Sequence, residues 1–493
     1  MALKTPEEYR ASLRAMRPNV YKFGELIEDV TTHPATRYTV EGHARIFAAQ
    51  HDPAERELYT TVSHLTGEPV SRYLSIIRSP DDMVANCRMK RHTFQLTGTC
   101  TGGRCAGYAT LNAMFVTTYD MDKALGTGHH GRLKAWLADA QRRDITLAGA
   151  LTDPKGDRTK APHEQADPDM YLRIVARHPD GSVTVRGAKV MICGVAAANE
   201  VFVMTESALA KEDADWCVSF AVPRDIEGLT VVEARHSSDD REAGCSCEGD
   251  FDLPVKCGGI TQGYLLFEDV HVPAERVFMA GEHQFTRDAI MNFIAPYRAA
   301  IGACVAGQGD VMRGAAALMA RANGLSERVF ADKLAQMAIN NETTFAMGIA
   351  SAVMGRQHPS GAWVCDQLLS NVNKVLVAKL PYETKVIAQD IAGGIAETGC
   401  MPSYLDFTDV RYGPLLEKYL GAAVDGETRA RIARLVEWLT MGAGVPGCMH
   451  GGGSPDGARL IIRGTSGLDE QMEMAKRLAG IVKEVPPPAP KKK

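Results

Sequence analysis

Several things are scarce or missing in this chain of 493 residues, and each absence removes a class of function. No stretch reads as an apolar run of the ~18 residues that cross a membrane. The opening MALKTPEEYRASLRAMRPNVY scatters charges where a secretion signal needs an apolar core. The expectation is a cytoplasmic protein with no membrane partner. Charge of one sign is scarce too, since 55 Lys and Arg against 60 Asp and Glu leave a net charge of -5. That field is too weak to recommend nucleic acid as a partner. No GxGxxG follows a strand pattern, which argues against a Rossmann dinucleotide domain. No internal repeat is evident.

What is present is a chain able to bury a large core, with 45% hydrophobic residues and a length that suits about three domains. It also has 12 cysteines. In a reducing compartment these are not expected to form disulfides, and most serve as small buried residues, the reading given to Cys87, Cys217 and Cys365. Cys245, Cys247 and Cys257 fall in a glycine- and charge-rich loop and lack a companion pair at zinc spacing. Cys100 and Cys105 stand out in TGTCTGGRCAGY, residues 97–108, just before a helical pattern. Amides at a helix start favour thiolate, cluster or phosphate. The spacing alone leaves metal ligands, a redox pair and neighbouring core thiols all open.

Periodicity divides the chain into three parts and a tail. Residues 1–150 read mainly as helix, with long runs at ATLNAMFVTTYDMDKAL and GRLKAWLADAQRR. Residues 151–280 read as a middle β domain, with a hairpin at HPDG and short alternating strands in EVFVM, WCVSFAVP, GLTVVEAR and GYLLFEDVHVP. Residues 281–483 return to amphipathic helices that suit a bundle, Ile432, Leu435, Val436 and Leu439 forming one apolar stripe. Residues 484–493, EVPPPAPKKK from Glu484, read as a disordered tail. The fold class expected is α+β.

Five segments, in order, carry a resemblance: YRASL with GELIEDVTTHP, LTDPKGDR at 151–158, LLFEDVHVPAERVFMAGE at 265–282, PYETKVIAQDIAGG at 381–394 and MHGGGSP at 449–455. By these the chain resembles the flavoprotein family that joins 4-hydroxyphenylacetate 3-hydroxylases to 4-hydroxybutyryl-CoA dehydratases. The resemblance implies an acyl-CoA dehydrogenase-like architecture, with the flavin between β domain and bundle, and a homotetramer. It implies FAD held by Asp153, Pro154, Lys155, Gly156 and Arg158, by Cys193, and by His450, Gly451, Gly452, Gly453 and Ser454. The glycine run itself permits close backbone approach to a ligand.

The dehydratase branch further implies a [4Fe-4S] cluster on Cys100, Cys105 and Cys304. Two features depart from that branch: Cys100 and Cys105 are one residue farther apart, and Tyr297 stands where a histidine ligand belongs. Three thiolates still suffice for a cubane with one open iron, with Tyr297 as fourth ligand or acid-base group and His450 as a proton carrier. Gln262 and Gly447 occupy carboxylate positions, and Ile301 and Val305 replace a tyrosine and a lysine beside Cys304. The expected reaction is dehydration or a double-bond shift on a CoA thioester with a non-standard substrate. The alternative is a reduced-flavin monooxygenase of phenols, in which Gly103, Arg104 and Tyr108 match substrate- or flavin-orienting residues. The catalytic histidine of that branch falls at Gly149 and is missing.

Overall fold

The computed structural model describes residues 3–100, 104–235, 239, 251, 261–442, 449–483 and 485–486. Gly103, Gly447, the Cys245, Cys247 and Cys257 trio, and most of the proline-rich tail lie outside the described residues.

The first helix, Pro6–Arg14, starts where Thr5 and Glu8 form a reciprocal capping box ahead of a proline at the first position. Its buried Tyr9 donates from its hydroxyl to the Ala197 carbonyl at 2.7 Å, docking the YRASL segment on the β region.

Two sheets form that region. The larger has the order Glu25–Ile27, Val20–Lys22, Leu229–Glu233, Gln262–Val272, Val183–Cys193, Arg173–Arg177. The smaller runs Val277–Ala280, Val218–Pro223, Glu200–Val203, Leu147–Ala150. Both recruit strands from the first 150 residues, so the β layer is wider than residues 151–280. The alternating strand Gln262–Val272 buries Leu265 and Phe267 against Val201 and Phe220 of the smaller sheet, while Tyr264 and Leu266 point outward. The expected hairpin is there, its strands Arg173–Arg177 and Val183–Cys193 pairing antiparallel.

The bundle is built on one helix, Thr286–Ala322, which Pro80–Thr97, Arg104–Leu125, Ala331–Val353, Gln367–Val377, Leu380–Ala392 and Gly426–Glu437 all contact. Small residues make this possible. A Cβ at Gly302 would strike the Thr344 carbonyl, one at Gly348 the Ala299 carbonyl, and one at Gly307 the Arg91 carbonyl. Three helices therefore meet backbone to backbone. In the Gly426–Glu437 segment and its π-helical continuation, Val436 and Leu439 are buried, and Ile432 and Leu435 pack beside them.

Two sequence expectations need correction. Helix Arg104–Leu125 begins at or before Cys105, which lies inside it rather than in a preceding loop. The central helix, over His283–Ala322, does hold a window apolar enough to cross a membrane, with mean hydropathy 1.4. That window is 78% buried by its bundle neighbours, which explains its apolarity without a lipid phase.

Glu233 ends its strand opposite Gly263, deep in the sandwich, with no hydrogen bond to either carboxylate oxygen among the described residues. Burial pushes its carboxyl up to about 7 from 4.5, the nearby Lys22 ammonium opposing this only in part. The folded chain thus holds a proton that the unfolded chain releases between about 4.5 and about 7, so this group lowers stability as pH rises through that window. Glu233→Gln is expected to gain stability relative to wild type between pH 5 and pH 8, on the order of 2 kcal/mol. Urea denaturation at both pH values checks this, and a difference independent of pH refutes it.

Candidate functional site

Three thiols from three segments lie within electrostatic range of one another. Cys100 follows the left-handed cap Gly98 at the end of Pro80–Thr97, whose carbonyl accepts from Gln308 Nε2 at 3.0 Å. Cys105 lies in the Arg104–Leu125 helix and Cys304 in the middle of the central helix. The Cys304 thiol hydrogen-bonds with the Cys105 sulfur, which holds Cys105 down to about 6 and drives Cys304 well up. Lys90 and Tyr73 lie near enough to help hold the Cys105 thiol down. Cys100 lies within electrostatic range of Cys304.

Tyr297 completes the group. It follows Pro296, which removes one hydrogen bond from the helix, and stacks on Phe293 at 5.2 Å between centroids. Burial first, then the sulfurs of Cys193, Cys105, Cys100 and Cys304, push its phenol well above the ordinary range. It is a protonated hydroxyl in a ring of sulfur. Cys105, Cys193 and Tyr297 lie deep in the protein yet keep accessible surface, the mark of side chains that line a space.

The glycine run sits on the other side of this tyrosine. Gly452 and Gly453 have positive φ, and a Cβ at Gly452 would stand 2.6 Å from the Tyr297 ring. The close approach that these glycines permit is therefore to Tyr297 and its neighbour. Arg298 donates to the Gly452 carbonyl at 2.8 and 2.9 Å and to Asn371, while Lys374 donates to the Gly451 carbonyl at 2.8 Å. Burial lowers the Arg298 guanidinium to about 10. His450 is exposed, and Ser454 caps the Pro455–Thr465 helix by accepting from the Gly457 amide at 3.0 Å.

Across from the bundle, Cys193 accepts from Gln262 Nε2 at 3.5 Å, and burial raises its thiol. Ile301 and Val305 are buried in a small apolar cluster that touches Tyr297. The LTDPKGDR turn is tied elsewhere. Asp153 pairs with Lys189 at 2.6 Å, Lys155 with Glu206 at 2.9 Å, and Tyr171 donates to the Lys155 carbonyl at 2.9 Å. Pro154 is half-buried in that turn, Gly156 has a φ of +51°, and Arg158 is exposed.

Arg104 and Tyr108 are core residues in this chain. The Arg104 guanidinium stacks on Phe47 at 4.3 Å and donates to His43 Nδ1 at 3.3 Å. Tyr108 is buried edge-on to Tyr73. At Gly149 a Cβ would stand 2.5 Å from the Ala106 carbonyl carbon, so a histidine has no room there.

Among the described residues, no group of three or more His, Cys, Asp or Glu side chains converges on a point that suits a metal ion. The donor chemistry nonetheless suits an iron-sulfur cluster, whose irons each take a separate thiolate, since Cys105 and Cys304 act on one another and Cys100 acts on Cys304. Sequence reasoning missed Lys90, Tyr73, Arg298 and Lys374. Lys90 is one cation in the run RMKRH, and nothing local separates it from its solvated neighbours.

Comparison with known proteins bears on this geometry. The family description "4-hydroxyphenylacetate 3-hydroxylase N terminal" matches residues 5–279, and its "C terminal" counterpart matches residues 286–480. The 4-hydroxybutyryl-CoA dehydratase/vinylacetyl-CoA-Delta-isomerase of Clostridium aminobutyricum is 37% identical, covering 97% of this chain and 100% of its own. The solved oxygen-tolerant 4-hydroxybutyryl-CoA dehydratase of N. maritimus is 36% identical, with a TM-score of 0.94 over 100% of this chain and 98% of that one. The oxygenase component of 4-hydroxyphenylacetate 3-monooxygenase, solved with FAD and 4-hydroxyphenylacetate, shares the fold at 22% identity and a TM-score of 0.85, over 98% of this chain and 100% of that one.

The helix-strand contact at Gly149 is testable without any ligand. Gly149→Ala is expected to destabilise the protein by about 3 kcal/mol or more through overpacking against backbone. Gly314→Ala, where a Cβ meets nothing within 4 Å on the central helix, is expected to stabilise it by up to about 1 kcal/mol. Thermal denaturation compares the two, and equal midpoints would refute the close contact.

Proposed function

The chain belongs to the 4-hydroxyphenylacetate 3-hydroxylase family, and on that premise we propose that it is a FAD-dependent dehydratase or isomerase acting on a CoA thioester. The observation that carries this reading is that Cys100, Cys105 and Cys304 all lie within electrostatic range of the buried Tyr297 phenol. Greater identity to the dehydratases than to the FAD-bound oxygenase supports it, as does the lack of room at Gly149 for a histidine.

In this reading Cys100, Cys105 and Cys304 hold a [4Fe-4S] cluster, which supplies a Lewis-acidic iron for a substrate oxygen. FAD, when bound, would supply an electron acceptor for the substrate carbon. The chain's own groups do the rest. Tyr297 holds a proton at Oη, and its neighbours Phe293 and Gly452 restrict its ring. Arg298 and Lys374 fix the glycine loop over that ring. Cys193 and Gln262, hydrogen-bonded to each other on the sheet, would line the flavin, and the exposed His450 would carry protons to solvent. Gln262 cannot act as a base, so the substrate differs from that of the standard dehydratases.

The chain works in the cytoplasm as a homotetramer. The apolar side chains Leu468, Met472 and Leu478 of the last helix, all exposed in a single chain, support the assembly.

The test is iron, acid-labile sulfide and flavin on protein purified without oxygen, in wild type and in Cys304→Ala, followed by assay with 4-hydroxyacyl-CoA thioesters. About four irons per wild-type chain, lost in the variant while flavin stays, are expected. Flavin without iron in the wild type refutes the cluster reading and turns the search to phenols, a reductase and oxygen.

A further inference from the structure

Two carboxylates stand beside one buried ammonium in the larger sheet. Lys22 and Glu233 lie on neighbouring parallel strands, each one residue on from the Tyr21–Val232 pair. Both side chains turn to the inner face, Lys22 with Val20 and Glu233 with Leu229 and Val231. The Lys22 ammonium nevertheless forms its ion pair with Asp239, the two side chains being 1% and 9% exposed. Glu233 is 4% exposed, and neither of its carboxylate oxygens has a hydrogen bond among the described residues. Its partner on the other side is Gly263, where a Cβ would stand 3.4 Å from Oε1, so no side chain offers a donor there. The charged groups that act on Glu233 are Lys22, then Arg224 and Asp239, and the Cys193 thiol lies within electrostatic range. Arg224 is itself buried and donates to Asn19 Oδ1 at 3.4 Å.

A buried carboxylate without a donor loses its hydration and regains nothing, so it is held as the neutral acid. Once ionised, it is a second anion about one strand spacing, ~4.8 Å, from the strand that carries the ammonium. One cation cannot compensate two buried carboxylates fully. We propose that Lys22 is shared between Asp239 and Glu233, and that the proton on Glu233 decides which of them it holds. With the proton in place, Lys22 ties Asp239 to the strand Val20–Lys22. With the proton lost to solvent, the ammonium turns to Glu233 and Asp239 is released. Burial sets the Glu233 carboxyl at about 7, so the tie is present below that pH and weakens as pH rises through it. This device does not rest on the reaction proposed above.

The test is hydrogen exchange on the full chain at pH 6 and pH 8, read by mass spectrometry in the peptide that contains Asp239. Wild type and Glu233→Gln are compared at each pH, which removes the intrinsic pH dependence of exchange. With a midpoint of about 7, Glu233 is about 10% ionised at pH 6 and about 90% at pH 8. The peptide is expected to exchange at equal rates in the two proteins at pH 6, and faster in wild type by about threefold or more at pH 8. The same comparison is made in an Asp239→Asn background, with Asp239→Ala in reserve should the first fail to fold. There Lys22 has nothing to release, and the effect of Glu233→Gln is expected to be the same at both pH values. Equal rates in wild type and Glu233→Gln at pH 8 overturn the proposal. A pH-dependent difference that survives in the Asp239 variant also overturns it, because the effect would then belong to the stability of the whole chain.

Discussion

Backbone contact at glycines on the central helix is the constraint from which the rest of the site follows. Gly302 lies on the Thr344 carbonyl, Gly348 on the Ala299 carbonyl and Gly307 on the Arg91 carbonyl, so neighbouring helices approach as closely as the polypeptide allows. Side chains one or two residues from those contacts have no freedom to splay apart. Cys304 is two residues from Gly302, and Lys90 is one from Arg91. A Cβ at any crossing would separate the helices and with them the sulfur set.

Within that frame several cations beside the central helix are given oxygen partners. Arg298 and Lys374 hold the carbonyls of Gly452 and Gly451, and Arg91 holds the carboxylates of Asp310 and Glu342. The first two turn a flexible glycine run into a fixed wall over Tyr297.

The order of helix, sheet and helix was legible because hydrophobic periodicity changes from 3.6 to 2 and back, and each strand of GLTVVEAR and GYLLFEDVHVP carries its own alternation. Cys100, Cys105, Cys304 and Tyr297 were legible only through resemblance, since their spacing alone left several chemistries open. The glycine run was read as a ligand cradle. Its closeness to Tyr297 depends on a contact between residues 297 and 452, which no local pattern encodes. The π-helical turn Trp438–Gly442 was likewise invisible, because its residues continue the apolar stripe of the helix before it.

By itself the sequence determined the succession of elements, the buried face of each and the thiols available to the site. These depend on the chemistry and spacing of residues near one another in the chain. Tertiary structure alone decided that Arg91 pairs with Asp310 and Glu342, that the glycine run lies against Tyr297, and that Arg104 stacks on Phe47. Those outcomes depend on where helices cross, and a crossing is a relation between backbones far apart in sequence, set by the absence of side chains at a few glycines.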